Sequence, residues 1–312
     1  MIARAGGRVP ASPATRTRAI EFYGAVRRSP EPCGELMDTS SLAAAGAVPR
    51  RSRLLDAIAD VIEGLKLWEL WSTLGWHDIR QRYRRSIVGP FWLTLSMGIM
   101  IAGLAYLYAG LFGQNIETYL PYVATGMIVF TLISALASEG SAVFIGSASL
   151  ILQLRAPLSI YIYQVLWRNL LIFAHNISIY VVVLMFVKVD IGWNFFLSFV
   201  GLFLVALIGV WMALILGGLS ARFRDVPPII GSIMQVAFFL TPIFWTPEAL
   251  PNREWFLHLN PFYYLVEVVR MPLLGKTPPL SMWLVVIGLN CFSALAAIAF
   301  YARYRNRIAY WV

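Results

Sequence analysis

The run RMPLLGKT, Arg270 to Thr277, ends as a phosphate-cradling loop ends, in a Gly-Lys-Thr whose lysine would reach phosphate and whose hydroxyl would hold Mg2+. Arg270 stands where the first glycine belongs, and Pro278-Pro279 follow where a helix should open. No nucleotide site is expected on this chain. Metal chemistry fares no better, since His77, His175 and His258 lie far apart in three sequence settings without ligand spacing. Cys33 and Cys291 are equally isolated, so neither a disulfide nor a thiolate metal site is expected. No Ser-His-Asp set, HExxH motif or pair of catalytic carboxylates is recognisable. Glu139, in ALASEGSAVF, stands out because an ionisable group at membrane depth is by default a functional candidate. Its place near one end of an apolar run favours hydrogen bonding or snorkelling over transport chemistry. What remains are side chains that bind rather than react, arginine clusters and dense aromatic groups.

Composition says where such residues sit. Apolar residues make up 59% of the 312, aromatics 14% and charged residues 13%, with a mean hydropathy of +0.70. A soluble domain carries about 25% charged residues, so this is a membrane protein. A hydrocarbon core of about 30 Å needs about 20 apolar residues per helix. Stretches free of Asp, Glu, Lys and Arg cover 86–116, 118–138, 169–187, 191–221, 226–247 and 277–302. Backbone in lipid must pair internally, so these are expected as six transmembrane helices; no apolar and polar alternation points to a β-barrel. With both termini cytoplasmic, only Lys188, Arg253, Arg270 and Lys276 of the 25 lysines and arginines fall outside. The reverse arrangement would translocate the arginine clusters, against the positive-inside rule. The net charge of +9 therefore reflects topology, and no nucleic-acid partner is expected.

Residues 1–52, rich in Arg, Ala, Ser, Pro and Gly without an apolar period, are expected to form a disordered cytoplasmic tail. The tail lacks the apolar core of a secretory or twin-arginine signal, and Met37 is an alternative start. A transit peptide would fit its arginines but not Glu21, Glu31, Glu35 and Asp38. Residues 53–85 differ. On a helical wheel Lys66, Glu69, Thr73, His77, Arg80 and Arg84 form a polar stripe, opposite Leu67, Trp68, Leu70, Trp71, Leu74 and Ile79. That is the pattern of an amphipathic helix lying in the membrane interface, with a soluble helix on a partner as the alternative. Asp78, Arg82 and Arg85 interrupt its apolar side, so the chain is expected to turn into the membrane there.

Three connections carry further information. SASLILQLRAPLSIY, 147–161, is expected as a short cytoplasmic helix, because Arg155 and Pro157 make burial in lipid costly. ARFRDVPP, 221–228, reads as a compact elbow in which Arg222 and Arg224 anchor the inner side and Asp225 pairs with one of them. Pro227 and Pro228 suit the first turn of the next helix. Between the fifth and sixth spans, NREWFLHLNPFYYLVEVVRMPLLGKTPP is too apolar for a simple loop and too short in apolar length to cross. Two short helices hinged at Asn260-Pro261 would make a re-entrant outer hairpin, with Glu267 and Arg270 paired at i,i+3. Such a hairpin must pack on protein or line a cavity.

In this order RQRYRRSIVGPFW, LQLRAPL, RFRDV, TPIFW, LNPFYYLVEVVR and RYRNR resemble the ABC-2 type permeases of bacterial polysaccharide exporters. These are membrane subunits that export O-antigen, capsule, teichoic acid or related lipid-linked glycans. The resemblance runs from Leu65 to the C-terminus; the long N-terminal tail departs from it without touching these motifs. It implies a six-helix transmembrane domain over 86–312 in the bacterial inner membrane, acting as a homodimer with two copies of a separate cytoplasmic ABC ATPase. That partner would bind Mg-ATP, leaving this chain a transport subunit without catalysis of its own. Leu152, Gln153, Arg155 and Pro157 would lie on the coupling helix that seats in the ATPase, with Arg80 and Arg84 as a flanking contact. Arg222, Arg224 and Asp225 would brace the inner end of the pathway, and spans one and five would line it. Asn260, Pro261, Tyr263, Glu267 and Arg270 would belong to the periplasmic gate.

A glycan cargo suits the aromatic content. Aromatic faces stack on the C–H faces of sugar rings without demanding a particular sugar order, which lets a polymer slide. Tyr106, Tyr108 and Phe112 in span one, with Phe238, Phe239, Phe244 and Trp245 in span five, are the candidate lining residues. Aromatics are also frequent in spans for packing and anchoring alone. An ABC-2 exporter of a drug or lipid is the alternative and would show fewer pathway aromatics. A membrane-embedded glycan-modifying enzyme would need converging carboxylates or histidines, and a secondary transporter would need repeats with charged broken helices; neither pattern is present.

Overall fold

The computed structural model describes residues 53–84, 91–154, 156–249 and 254–312. The tail 1–52, Arg85, Arg155 and Arg253 lie outside the described residues. Two helices, α1 (Arg53–Lys66) and α2 (Trp68–Tyr83), precede the long helices α3 (Phe91–Phe112) and α4 (Ile116–Ser141). Short helices α5 (Val143–Gly146) and α6 (Ala148–Gln153) lead to α7 (Ser159–Phe186), α8 (Phe195–Arg222) and α9 (Val226–Leu240). A hairpin of α10 (Glu254–Leu259) and α11 (Pro261–Leu273) precedes α12 (Leu280–Trp311). Among the described residues α3, α4, α7, α8 and α12 are long and apolar enough to cross a membrane. The chain is an all-α, multi-pass membrane bundle.

A helix that is apolar on every side belongs in the middle of such a bundle. α4 takes that place, with α3, α7, α8, α9 and α11 packed around it and Val123, Ala124, Met127, Ile128 and Val129 buried. Asn115 caps its start, its side-chain oxygen accepting from the Glu117 N–H at 2.9 Å. α3 and α12 are peripheral and turn large apolar residues outward, among them Leu107, Leu111, Phe292 and Leu295.

Three expectations are corrected. The third long helix starts at Ser159, not at residue 169, because Arg168 is paired inside the bundle and does not end the span. The fifth apolar stretch forms a helix of only 15 residues, ending at Leu240 rather than near 247. At 1.5 Å per residue that is about 22 Å, short of a bilayer core. Pro242 is the reason: it has no N–H to donate and forces Thr241 into the extended conformation seen there (φ −93°, ψ 138°). Finally, the segment 53–85 is two helices broken at Leu67, and Trp71 lies against Tyr163 and Trp167 of α7 instead of facing outward. Asp78 turns toward the bundle, where it accepts from Gln164 Nε2, and α2 runs on to Tyr83.

Candidate transport pathway and its polar supports

Aromatic rings from three segments meet along one side of α4. Phe112 stacks on Tyr108 (5.6 Å between centroids), Tyr108 meets Phe244 (5.2 Å), and Phe244 meets Phe238 (5.6 Å) and Phe239 (6.0 Å). Five of the seven candidate lining residues thus form a continuous row from α3 to α9. Trp245 closes it, donating from Nε1 to the Phe239 carbonyl at 3.1 Å. Tyr106 does not join; it is 82% exposed on another face of α3. Phe130 and Phe262 extend the row through Phe238, which sequence spacing gave no means of finding.

Where α9 stops, carbonyls at its end and along the link 241–245 are taken up by side chains. Tyr122 donates to the carbonyls of Pro242 (3.0 Å) and Trp245 (3.1 Å), and Tyr119 donates to that of Phe244. Asn260 donates to the Leu240 carbonyl (3.2 Å) and to Thr241 Oγ1 (3.0 Å), while its own oxygen caps α11. Irregular backbone at membrane depth is tolerated only when protein satisfies it in this way. Arg270, fully buried, completes the junction: it pairs with Glu267 as its i,i+3 spacing implies, donates to the Pro242 carbonyl at 2.7 Å and lies 3.9 Å from the Tyr122 ring. Burial works to lower the Arg270 pKa, but Glu267 and Tyr122 more than offset it and hold the guanidinium above its ordinary value. Tyr263 is pushed up to about 12, mainly by burial, with Glu267 adding to the rise.

The opposite end of the bundle holds two further groups. Arg168 of α7 pairs with Asp78 of α2 and, at 2.8 Å, with Glu139 of α4; Asn169 and Arg82 also reach Glu139. Glu139 is therefore held by ion pairs and a hydrogen bond to α2 and α7. In the elbow, Arg222 lies over the Trp311 ring (5.9 Å) and Arg224 donates to the Trp311 carbonyl (3.5 Å). Among the described residues Asp225 pairs with neither arginine, contrary to expectation, because both turn to the end of α12. Leu152 and Gln153 are exposed on α6, Pro157 is half-buried beyond it, Arg80 is exposed on α2 and Arg84 just after its end.

A sequence model of the ABC-2 type transporter family matches residues 69–274. The chain belongs to that family. This permease is also 22% identical over 192 residues to the O-antigen export system permease protein RfbA of Myxococcus xanthus, covering 61% of this chain and 74% of the relative. The family match begins within α2 and ends just after α11, so it contains the aromatic row, the Arg270 junction and the Arg168–Glu139 group, while Trp311 of the elbow group lies beyond it. Sequence reasoning about the permease missed Tyr119, Tyr122 and Arg168. Arg168 was visible only as a charge beside an apolar run, and nothing in its spacing named partners far away in the chain.

Proposed function

We propose that this permease exports a polysaccharide, lipid-linked at one end, across the bacterial inner membrane, powered by ATP on a separate cytoplasmic ATPase. The observation that carries the cargo class is the aromatic row Phe112, Tyr108, Phe244, Phe238 and Phe239, since stacked faces grip sugar rings without fixing one ring in place. The similarity to RfbA, an O-antigen export system permease, supports the same class. Two copies of the chain work with two copies of the ATPase. The termini are cytoplasmic, as the distribution of arginines favours, and α9 with the link 241–245 makes a sixth crossing.

On this reading α1 and α2 lie in the cytoplasmic interface, and α10 and α11 form a re-entrant outer hairpin. Leu152, Gln153, Arg155 and Pro157 meet the ATPase, flanked by Arg80 and Arg84. ATP binding shifts this segment as a rigid body, and the shift reaches the pathway through the packed helices. Arg222, Arg224 and Asp225 brace the inner end. Asn260, Pro261, Tyr263, Glu267 and Arg270 hold the outer gate, where Arg270 ties the hairpin to the end of α9.

A second reading, export of a lipid or drug, draws on an apolar groove of about 850 Å³ between α9 and the hairpin, walled by Ile229, Ile233, Val236, Trp255 and Leu259. Co-purification with cytoplasmic ABC ATPases of the same organism tests the first reading, together with ATP hydrolysis by wild type and by Arg155→Glu plus Pro157→Ala. A stable complex that the double change uncouples or dissociates is the expected result. Failure of the intact chain to bind any ATPase rejects it. Loss of the chain is expected to remove the glycan from the cell surface; an unchanged surface glycan with altered export of a lipid favours the second reading.

A further inference from the structure

α1 is inside out for a helix on a water-facing surface. Leu54, Leu55, Ile58, Ile62 and Leu65 point outward, while Asp60 points inward and is 2% exposed. A carboxylate leaves water only when charged and hydrogen-bonding groups replace its hydration. Asp60 has them from two other helices. Oδ1 accepts from Tyr301 Oη of α12 (2.8 Å) and from the Ser159 N–H (3.2 Å). Oδ2 accepts from the Leu158 N–H (3.3 Å) and lies 3.0 Å from Arg305 Nε. Ser159 Oγ donates back to the Asp60 carbonyl at 2.7 Å, and Gly64 leaves the room, since a Cβ there would overlap Ser159 Oγ. Arg305 also donates to the Asp56 carbonyl (3.0 Å), and Tyr163 to that of Val61 (3.0 Å).

Leu158 and Ser159 open α7 directly after the segment 148–157, and α6 in that segment packs on α12 as well. One carboxylate thus fastens the exit of that segment to α1 and to α12 at once. We propose that Asp60 is a positioning residue for energy coupling: it makes the ATPase-facing segment, the interfacial helix α1 and the C-terminal helix α12 move as one body. This rests on reading 148–157 as the ATPase contact. Without the clamp, a displacement of 148–157 would bend the link 154–158 and be lost before reaching α7.

The test uses the full chain co-purified with its ATPase, as wild type, Asp60→Asn and Tyr301→Phe. Asp60→Asn keeps the shape and removes the charge; Tyr301→Phe removes a single donor and serves if the first variant does not fold. Hydrogen exchange at the Leu158 and Ser159 amides reads the clamp, and glycan exported per ATP hydrolysed reads coupling. In Asp60→Asn those amides are expected to exchange about tenfold faster, and export per ATP to fall about fivefold or more, with basal hydrolysis retained. Tyr301→Phe gives the same pattern, smaller. A merely structural residue would lower yield and thermal stability while the surviving complex kept its export per ATP. Unchanged exchange, or faster exchange with unchanged export per ATP, overturns the inference. If the wild-type chain binds no ATPase, the exporter reading fails and the coupling role with it, while exchange still decides whether Asp60 clamps α7.

Discussion

Arg270 is the residue on which the α9–α11 junction turns. Its guanidinium serves a carboxylate, the Pro242 carbonyl and an aromatic face, all away from water. Removing one partner of a buried pair strands the other, so Arg270→Ala should destabilise by about 3–5 kcal/mol. Arg270→Lys should rescue little, because a point charge cannot reproduce the planar fork. Tyr122→Phe should cost about 1–3 kcal/mol, since the Trp245 carbonyl loses its donor while Pro242 keeps Arg270. Thermal unfolding in detergent ranks all three; equal midpoints for Arg270→Ala and wild type would contradict the network. The i,i+3 pairing of Glu267 with Arg270 was legible in the sequence because it is local. Tyr122 and the Pro242 carbonyl were not, because their proximity is made by packing α4 against the end of α9.

At the scale of elements, α2 is held by a charge network that sequence reading treated as an interruption. Arg168→Met would remove the cation that Asp78 and Glu139 share, leaving Asp78 with Gln164 and Glu139 with Asn169 and Arg82, at a cost of about 1–3 kcal/mol after allowing for their partial exposure. Faster hydrogen exchange throughout α2 is the expected signature, with α12 unchanged. The outward stripe of α1 makes a separate prediction. Cysteines at Ile58 and Ile62 should react with a lipid-soluble probe and resist a membrane-impermeant one, whereas one at the exposed Glu63 should react with the impermeant probe. Equal reactivity with the impermeant reagent at all three positions would place α1 in water.

At the scale of the molecule, the element that decides the number of crossings is α9, too short to cross as a helix yet followed by a link in which the Pro242, Phe244 and Trp245 carbonyls are hydrogen-bonded. Cysteines replacing Gln153 and Glu248, both exposed, should be labelled from the cytoplasmic and the outer side respectively. Labelling from the same side would remove the crossing. Composition and charge spacing alone determined the class of protein, its apolar stretches and the asymmetry of its arginines. These are one-dimensional quantities, because the cost of placing a charge in lipid follows from residue type and from run length. Only the tertiary structure decided which charges lie inside. Asp60, Asp78, Arg168 and Arg270 are all drawn into the bundle, three of them at places where a rule based on runs ends a helix or puts the residue in water. Their desolvation is offset by partners on other helices, and a sum along the chain has no access to partners that only the fold brings within 3 Å.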